Sequence, residues 1–103
     1  MVSVEKLTPH YDLAVVQRQV ARLGPAALTK TALDGGRDMG LTSREMLAVI
    51  AALTRRDFYK SMTTYADHRI WQDVYHAPTP VAKEAYIKIK MRDAAPVIQF
   101  KEK

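Results

Sequence analysis

The first half of the chain carries apolar residues at the three- and four-residue spacing of an α-helix. The first such stripe comprises Leu13, Val16, Val20 and Leu23. This spacing predicts a helix with one apolar face. Thr8 is its expected N-cap, since the following Pro9 suits the first position of a helix. Gly24-Pro25 ends the helix, because glycine accepts the left-handed cap conformation and proline cannot continue the helix.

Two shorter helices are predicted next. One spans residues 30–39 with Thr29 as N-cap, although Gly35-Gly36 weakens it, since glycine inside a helix costs about 1 kcal/mol relative to alanine. The other begins with a capping box, in which the side chains of Thr42 and Glu45 each accept a hydrogen bond from the other residue's backbone N–H. Its broad apolar face comprises Met46, Leu47, Val49, Ile50 and Leu53.

From residue 57 the apolar period changes to the two-residue alternation of β-strands. The predicted strands are 58–65, 68–75, 85–92 and 97–101. Ala66-Asp67 is the expected first turn, residues 93–96 form another, and 77–80 is expected to be a loop because proline cannot join a central ladder. Such short connections favour antiparallel neighbours. The sequence therefore predicts an α+β fold, with about three N-terminal helices packed on one face of a mostly antiparallel twisted sheet.

Length and composition limit the organisation of the chain. Its 103 residues, 48% of them hydrophobic, suffice for one domain, which we place at residues 1–103. The absence of cysteine excludes a disulfide framework and suits a reducing cytoplasm. Residues 1–6 lack the apolar core of a signal peptide, and the longest apolar run, 46–53, is too short to span a bilayer. We therefore expect a cytoplasmic protein.

The positive charge is concentrated in the second half of the chain. The net charge is +5, and residues 54–103 hold 10 of the 16 basic side chains. Strand alternation places one polar set on the sheet face that the helices leave open: Tyr86, Lys88, Lys90, Gln99 and Lys101. Lysines interleaved with tyrosine on an open sheet can bind RNA, because the cations pair with phosphates and the ring stacks on bases. The alternative is an ordinary solvated face with extended lysines.

The three histidines do not predict a site. His10, His68 and His76 are far apart in sequence and lack the spacing of metal ligands. His68 beside Asp67 could form an acid–base pair, but a turn histidine that bonds to its neighbours is the favoured interpretation. There is no glycine-rich phosphate loop, and the scattered acids do not favour a paired-carboxylate hydrolase.

One segment resembles a known family. Residues 57–75, DFYKSMTTYADHRIWQDVY, resemble the central block of the motility quorum-sensing regulator (MqsR) toxins. The start at residues 6–10 and the end at 100–103 are also similar to that family. The resemblance implies a RelE-like fold and a metal-independent, ribosome-independent mRNA interferase that cuts at GC-containing triplets such as GCU and GCA. It implies a cognate MqsA-type antitoxin, a zinc-binding protein with a helix-turn-helix domain. It implies no cofactor for this chain.

The resemblance also implies the active-site positions. These are Lys60, Gln72, Tyr86 and Lys101, with Tyr59 and Met62 beside them as RNA-binding residues. The open face adds Lys88 and Lys90 as further RNA contacts. Tyr86 and Lys101 belong to this face by strand alternation as well, whereas alternation does not decide the face of Lys60 and Gln72. For Met62 and Trp71, packing is favoured over contact with RNA.

Without a metal, the nucleophile would be the 2′-hydroxyl of the RNA itself. Lys60 and Lys101 would then hold and polarise the scissile phosphate. Tyr86 would donate a hydrogen bond to an oxygen or act as the acid, and Gln72 would orient the nucleotide. The general base is left open between a lysine with a lowered pKa and, less favoured, His68. The expected products carry a 2′,3′-cyclic phosphate and a 5′-hydroxyl.

Alternatives remain at this level. The chain departs from the family pattern at His76-Ala77, where a basic residue is expected before proline, so its sequence preference could differ. A non-catalytic basic module would bind RNA through the same lysines and leave it intact. A protein that binds only its antitoxin, or a nuclease that acts only on the ribosome, would also fit.

Overall fold

The structure, a computed structural model, describes residues 4–103. Met1–Ser3 lie outside the described residues. They are half of residues 1–6, the segment predicted to lack the apolar core of a signal peptide. Its helices are α1 (Leu13–Leu23), α2 (Lys30–Asp38) and α3 (Ser43–Ala51). Its strands are β1 (Glu5–Lys6), β2 (Phe58–Thr63), β3 (Trp71–Pro78), β4 (Glu84–Arg92) and β5 (Ala95–Glu102). Within the described residues, no helix has the length and apolar composition needed to cross a membrane.

The strands form one antiparallel sheet in chain order, β1-β2-β3-β4-β5. The α+β prediction is confirmed, whereas the prediction of four strands is wrong. The additional strand is β1, in which Glu5 pairs with Met62 and Lys6 with Ser61. Two residues are too few for an alternation pattern to reveal them.

The three helices cover one face of the sheet and bury a single apolar cluster. Val16 and Val20 of α1 and Met46 and Ile50 of α3 are almost fully buried in it. The sheet contributes the alternate residues Ala85, Ile87, Ile89, Ile98 and Phe100. The alternation predicted for β4 is therefore confirmed, and its other residues point away from the helices.

The predicted start of α1 is wrong. Thr8 and Pro9 precede the helix in a bend, and Asp12 is the N-cap, with its side chain accepting hydrogen bonds from the N–H groups of Ala14 and Val15. The reason lies in the sheet. The buried carboxylate of Asp73 accepts hydrogen bonds of 2.9–3.0 Å from the backbone N–H groups just before the helix, those of residues 10 and 11, which fixes that segment in a non-helical conformation.

Several strand boundaries also differ from prediction. β2 ends at Thr63 rather than at residue 65. β5 begins at Ala95, so the turn predicted at 93–96 is shorter than expected. β3 begins at Trp71 rather than at residue 68, because the turn is longer than Ala66-Asp67 and Thr64 closes it with hydrogen bonds to Asp67. At its other end β3 continues through Pro78, although a loop was predicted there. Pro78 pairs with Glu84 as the last residue of the strand, a position where the missing N–H interrupts nothing.

Gly35-Gly36 lies inside α2, as predicted, and the close packing of the helix explains it. A Cβ at Gly35 would overlap the carbonyl oxygen of Phe100 in β5, and one at Gly36 would overlap the side chain of Met46 in α3. The helix-weakening glycines are therefore the residues that allow α2 to approach the sheet and its neighbouring helix so closely. Thr29 caps α2 as expected.

Candidate active site

A β-bulge in β2 brings two consecutive side chains to the open face of the sheet. Phe58 pairs with Tyr75 and packs on the core, but Lys60 pairs with the preceding residue of β3, Val74. Tyr59 is the additional residue of this bulge. Its ring lies over His76 on the open face, the same face as Lys60. The bulge resets the alternation of β2, which is why the sequence pattern did not decide the face of Lys60.

Cross-strand register then assembles the polar face. Tyr86 pairs with His76 on one side and with Lys101 on the other. Lys88 pairs with Val74 and Gln99 in the same way. Val74 is 0% exposed and yet lies outside the core cluster under the helices. The side chains around it therefore exclude water from the middle of this face, with the lysine stems lying along the sheet.

A recess of about 550 Å³, here called the central recess, lies on this face between β1 and β4. Its lining includes Glu5, Lys60, Met62, Gln72, Tyr86 and Lys88. Three of the four predicted catalytic residues thus lie around one cavity. Gln72 lines the central recess because it pairs with Met62, the residue that follows Lys60 on the same face of β2.

Lys60 is held by an ion pair with the neighbouring strand. Its Nζ lies 2.6 Å from the Oε2 of Glu5 in β1. This hydrogen bond raises the pKa of Lys60, so its ammonium group stays charged near neutral pH. Lys60 is accordingly unsuited to act as a base, and a phosphate bound there would compete with Glu5 for its ammonium group. The sequence analysis missed Glu5, because only the folded sheet brings β1 beside β2.

Lys88 differs from Lys60 in its surroundings. Burial lowers the pKa of Lys88, and the positive charges of Lys101 and Lys90 lower it further. Within residues 4–103, these three lysines of β4 and β5 form no ion pair with a carboxylate of the chain. Like charges gathered without counter-charges favour the binding of an anion.

Lys101, the fourth predicted catalytic residue, lies beside Tyr86 at the edge of the sheet. Its Nζ is 5.2 Å from the centre of the Tyr86 ring, within the range of a cation–π interaction. It does not line the central recess; it lines a smaller one between β5 and α2, here called the edge recess. Tyr86 and Lys88 line both recesses and form a ridge between them. The other three predicted catalytic residues line the recesses on its two sides.

Three aromatic rings lie in a row along the face next to the central recess. The ring of Tyr59 lies 4.4 Å from that of His76, nearly parallel to it, and His76 lies 5.4 Å from Tyr86. The Nε2 atom of His76 is buried without a hydrogen-bond partner. Burial lowers the pKa of His76, the charge of Lys103 lowers it further, and Glu84 opposes them. The outer ring, Tyr59, is 51% exposed and available to a nucleobase.

The other candidate residues lie elsewhere. His68 is exposed in the turn, and its neighbour Asp67 pairs with Arg69 instead, which lowers the pKa of Asp67 to about 2. Trp71 packs on the N-terminal segment, with the His10 ring stacked on it at 5.4 Å. Lys90 lies farther along β4 and lines neither recess. Among the described residues, no three His, Cys, Asp or Glu side chains are grouped closely enough to hold a metal ion.

Comparison with known sequences decides the family. The sequence model of the family described as "Motility quorum-sensing regulator, toxin of MqsA" matches residues 8–102. The chain belongs to this family. The mRNA interferase toxin MqsR of Escherichia coli strain K12 is 44% identical to it over 100 residues, which are 97% of this chain and 100% of that protein.

Membership of the motility quorum-sensing regulator family confirms the resemblance seen in residues 57–75. The helices on one face of an antiparallel sheet agree with the RelE-like arrangement expected of such a toxin. The structure adds residues that neither the pattern nor the resemblance indicated, namely Glu5 against Lys60 and His76 between two tyrosines.

Proposed function

We propose that this chain is the toxin of a toxin–antitoxin pair and cuts mRNA as a metal-independent, ribosome-independent endoribonuclease. The observation that carries the proposal is the arrangement of Lys60, Gln72, Tyr86 and Lys101 around one ridge of a solvent-facing sheet. Family membership supports it, since a 44% identical relative is named an mRNA interferase toxin. Phosphodiester cleavage through the 2′-hydroxyl needs positive charge at the phosphate, a base and an acid, and lysines and a tyrosine can supply these groups.

The charges of the site suggest a division of labour. Lys60 and Lys101 approach the ridge from opposite sides and would bind the non-bridging oxygens of the scissile phosphate. Preorganised donors of this kind stabilise the charge that develops in the transition state. Tyr86, between them, would donate its phenolic proton to the departing 5′-oxygen. Gln72, which offers both an N–H donor and a carbonyl acceptor, would orient the nucleotide in the central recess.

Lys88 is the best candidate for the base. Its pKa is lowered, whereas that of Lys60 is raised, so Lys88 more readily reaches the neutral form that accepts a proton. In this scheme Lys88 takes the proton of the 2′-hydroxyl, the resulting oxygen attacks phosphorus, and the bond to the 5′-oxygen breaks. The products are a 2′,3′-cyclic phosphate and a 5′-hydroxyl. His68, exposed in its turn, lines neither recess and supports this role less.

The protein partner follows from the family description, which names a toxin of MqsA. We therefore assign to this chain a cognate MqsA-type antitoxin that binds zinc and carries a helix-turn-helix domain. GC-containing triplets are the proposed cleavage sites, with cellular mRNA as the substrate. Mixing the two proteins should give one complex in gel filtration and should abolish cleavage. Separate elution with undiminished cleavage would contradict this pairing.

The decisive experiment incubates the purified chain with a long purified RNA, with EDTA present and ribosomes absent. We expect cuts at GC-containing sites and fragments with 5′-hydroxyl ends. Lys60→Ala should cleave about 10²- to 10³-fold more slowly. Lys83→Ala is the matched control, because Lys83 also pairs with a carboxylate on the surface but lies outside both recesses.

Several results would contradict the proposal. RNA that stays intact with and without ribosomes would indicate a binding protein. Cleavage that requires ribosomes, or that EDTA abolishes, would remove the corresponding part of the mechanism. A 5′-phosphate at the cut would exclude attack by the 2′-hydroxyl, and equal losses in Lys60→Ala and Lys83→Ala would place Lys60 outside the site.

A further inference from the structure

The ridge is the wall that the two recesses on the open face share. Tyr86 and Lys88 line both of them, with the central recess on the β2 side and the edge recess, about 200 Å³, on the β5 side. A phosphate bound between Lys60 and Lys101 would lie on that wall. The nucleosides on its two sides would then extend toward different recesses, so that the RNA crosses the strands. The central recess offers Gln72 to one nucleoside, and the edge recess remains for the other.

The edge recess exists because α2 lies against β5 without an intervening side chain. The backbone of Gly35 is in direct contact with that of Phe100, and the Thr29 N–H donates a hydrogen bond of 3.2 Å to the Ile98 carbonyl. This close approach places Asp34 and Asp38, one helical turn apart, opposite the last strand. The edge recess is therefore bounded by α2 on one side and by the lysine-rich open face on the other.

The helix side of this recess is rich in hydrogen-bond acceptors. Asp34, Asp38 and Thr31 of α2 line it, and Gln99 of β5 lies on the other side. Asp34 also forms a surface ion pair with Lys30 at 3.2 Å. Asp38 forms no ion pair within residues 4–103. Two carboxylates disfavour a phosphate here and favour a neutral group that donates N–H bonds.

From this arrangement we infer that the edge recess is a nucleobase subsite, which binds the base next to the scissile phosphate and selects a base that carries an amino group. Adenine, cytosine and guanine present an exocyclic amine to a carboxylate, whereas uracil presents two carbonyls and a single N–H. The Asp38 carboxylate would accept a hydrogen bond from this amine, and Gln99 would lie on the opposite side of the base. The inference rests on the proposed function, because only a bound phosphate on the wall fixes which base reaches the recess.

The test compares cleavage of short RNAs that contain one cut site and differ only in the bases flanking the cut. At one of these two positions, the wild-type chain should cleave substrates with an amino base faster than the uracil substrate by about tenfold or more, the discrimination typical of one well-placed base contact. In the Asp34→Asn/Asp38→Asn variant this ratio should fall toward one. Asp93→Asn is the matched control: Asp93 is exposed in the β4–β5 turn, and asparagine tolerates its positive φ.

Binding separates this inference from the proposed function. The same RNAs with a 2′-O-methyl group at the cut cannot be cleaved, and their affinities are measured by fluorescence anisotropy. Loss of base preference in the double variant alone, in binding or in cleavage, supports the subsite. A preference unchanged in the double variant, or absent from the wild type at both positions, overturns it. If the wild type binds with the expected preference and cleaves nothing, the subsite stands and the nuclease fails.

Discussion

The two faces of β4 differ sharply in burial and charge. Ile87 and Ile89 lie under the helices and are almost completely buried. Lys88, between them in sequence, faces the opposite way, beside Tyr86 and Lys101. One strand thus supplies the centre of the core and the centre of the proposed site. Residues that stabilise the fold and residues proposed for the chemistry are therefore neighbours along the backbone of this strand.

This separation has a physical reason. The covered face gains stability from apolar area removed from water, which needs large aliphatic side chains. The open face gathers lysines that repel one another, and these lysines therefore contribute little to folding. Substitutions on the two faces should accordingly have opposite signatures, and the following experiments test how complete the separation is.

The largest expected effect belongs to the covered face. Ile87→Ala should lower the free energy of unfolding by about 2–5 kcal/mol, because it leaves a cavity among fully buried residues. Urea unfolding measures this loss, and cleavage per folded molecule should stay near the wild-type value. Lys88→Ala is the matched control on the same strand and should change stability by no more than about 1 kcal/mol. Equal destabilisation by both would refute the separation.

The next effect belongs to the open face. Tyr86→Phe keeps the ring that contacts His76 and Lys101 but removes the hydroxyl proposed as the proton donor. Its cleavage rate should fall about 10²-fold, the lower end of the contribution of general acid catalysis. Single-turnover cleavage at saturating enzyme isolates this step from RNA binding. A wild-type rate in this variant would show that Tyr86 acts through its ring alone.

His76 is where the separation should be least complete. Its pKa is lowered from the ordinary value of 6.5, so the folded protein keeps the ring neutral at a pH where an unfolded chain already binds a proton. Folding therefore loses stability as the pH falls below about 6.5, and this loss is absent above it. His76→Phe keeps a flat ring between Tyr59 and Tyr86 and should show a smaller drop in melting temperature between pH 7.5 and pH 5.

Two measurements make this test specific. His10, whose pKa is also lowered, gives the same background in both proteins, so the difference between them reports His76. RNA affinity at pH 7.5 should stay within about threefold of wild type in His76→Phe, because phenylalanine keeps a flat ring and stacking on bases is sequence-tolerant. Identical pH dependence in the two proteins would mean that the buried Nε2 atom has no energetic consequence.

The smallest expected effect lies off both faces. Asp93 and Ala94 form the two-residue turn between β4 and β5, and both have positive φ. Alanine is strained there and glycine is not, so Ala94→Gly should stabilise the fold by about 1 kcal/mol. The melting temperature should rise by a few degrees while cleavage stays unchanged. A changed cleavage rate would mean that this turn sets the geometry of the site.

Local signals account for the parts of the fold that the sequence predicted correctly. The Thr42–Glu45 capping box fixes the start of α3 through contacts within four residues, and alternation in β4 needs only the period of a strand. The predicted start of α1 failed for the opposite reason. Asp73 lies in β3, far from α1 in sequence, and its carboxylate binds the segment just before α1. No local pattern encodes such a contact.

The candidate site divides in the same way. Alternation alone placed Tyr86 and Lys101 on the open face, because β4 and β5 are regular and paired throughout. Lys60 needed the family resemblance, since the bulge in β2 interrupts the alternation just before it. Glu5 was missed altogether, because its contact with Lys60 depends on β1. This strand has only two residues, and all three helices separate it in sequence from its partner β2.

That bulge also bears on how such a site can change over time. Without Tyr59, the sequence from Phe58 to Thr63 alternates regularly between core and open face, so Tyr59 is in effect a one-residue insertion that leaves every neighbour in place. An exposed aromatic ring thus stands beside a regular strand, and it does not pack on the core under the helices. We therefore expect an insertion or deletion at this position to add or remove an exposed ring with less effect on the core than a substitution at a core-facing residue of the strand.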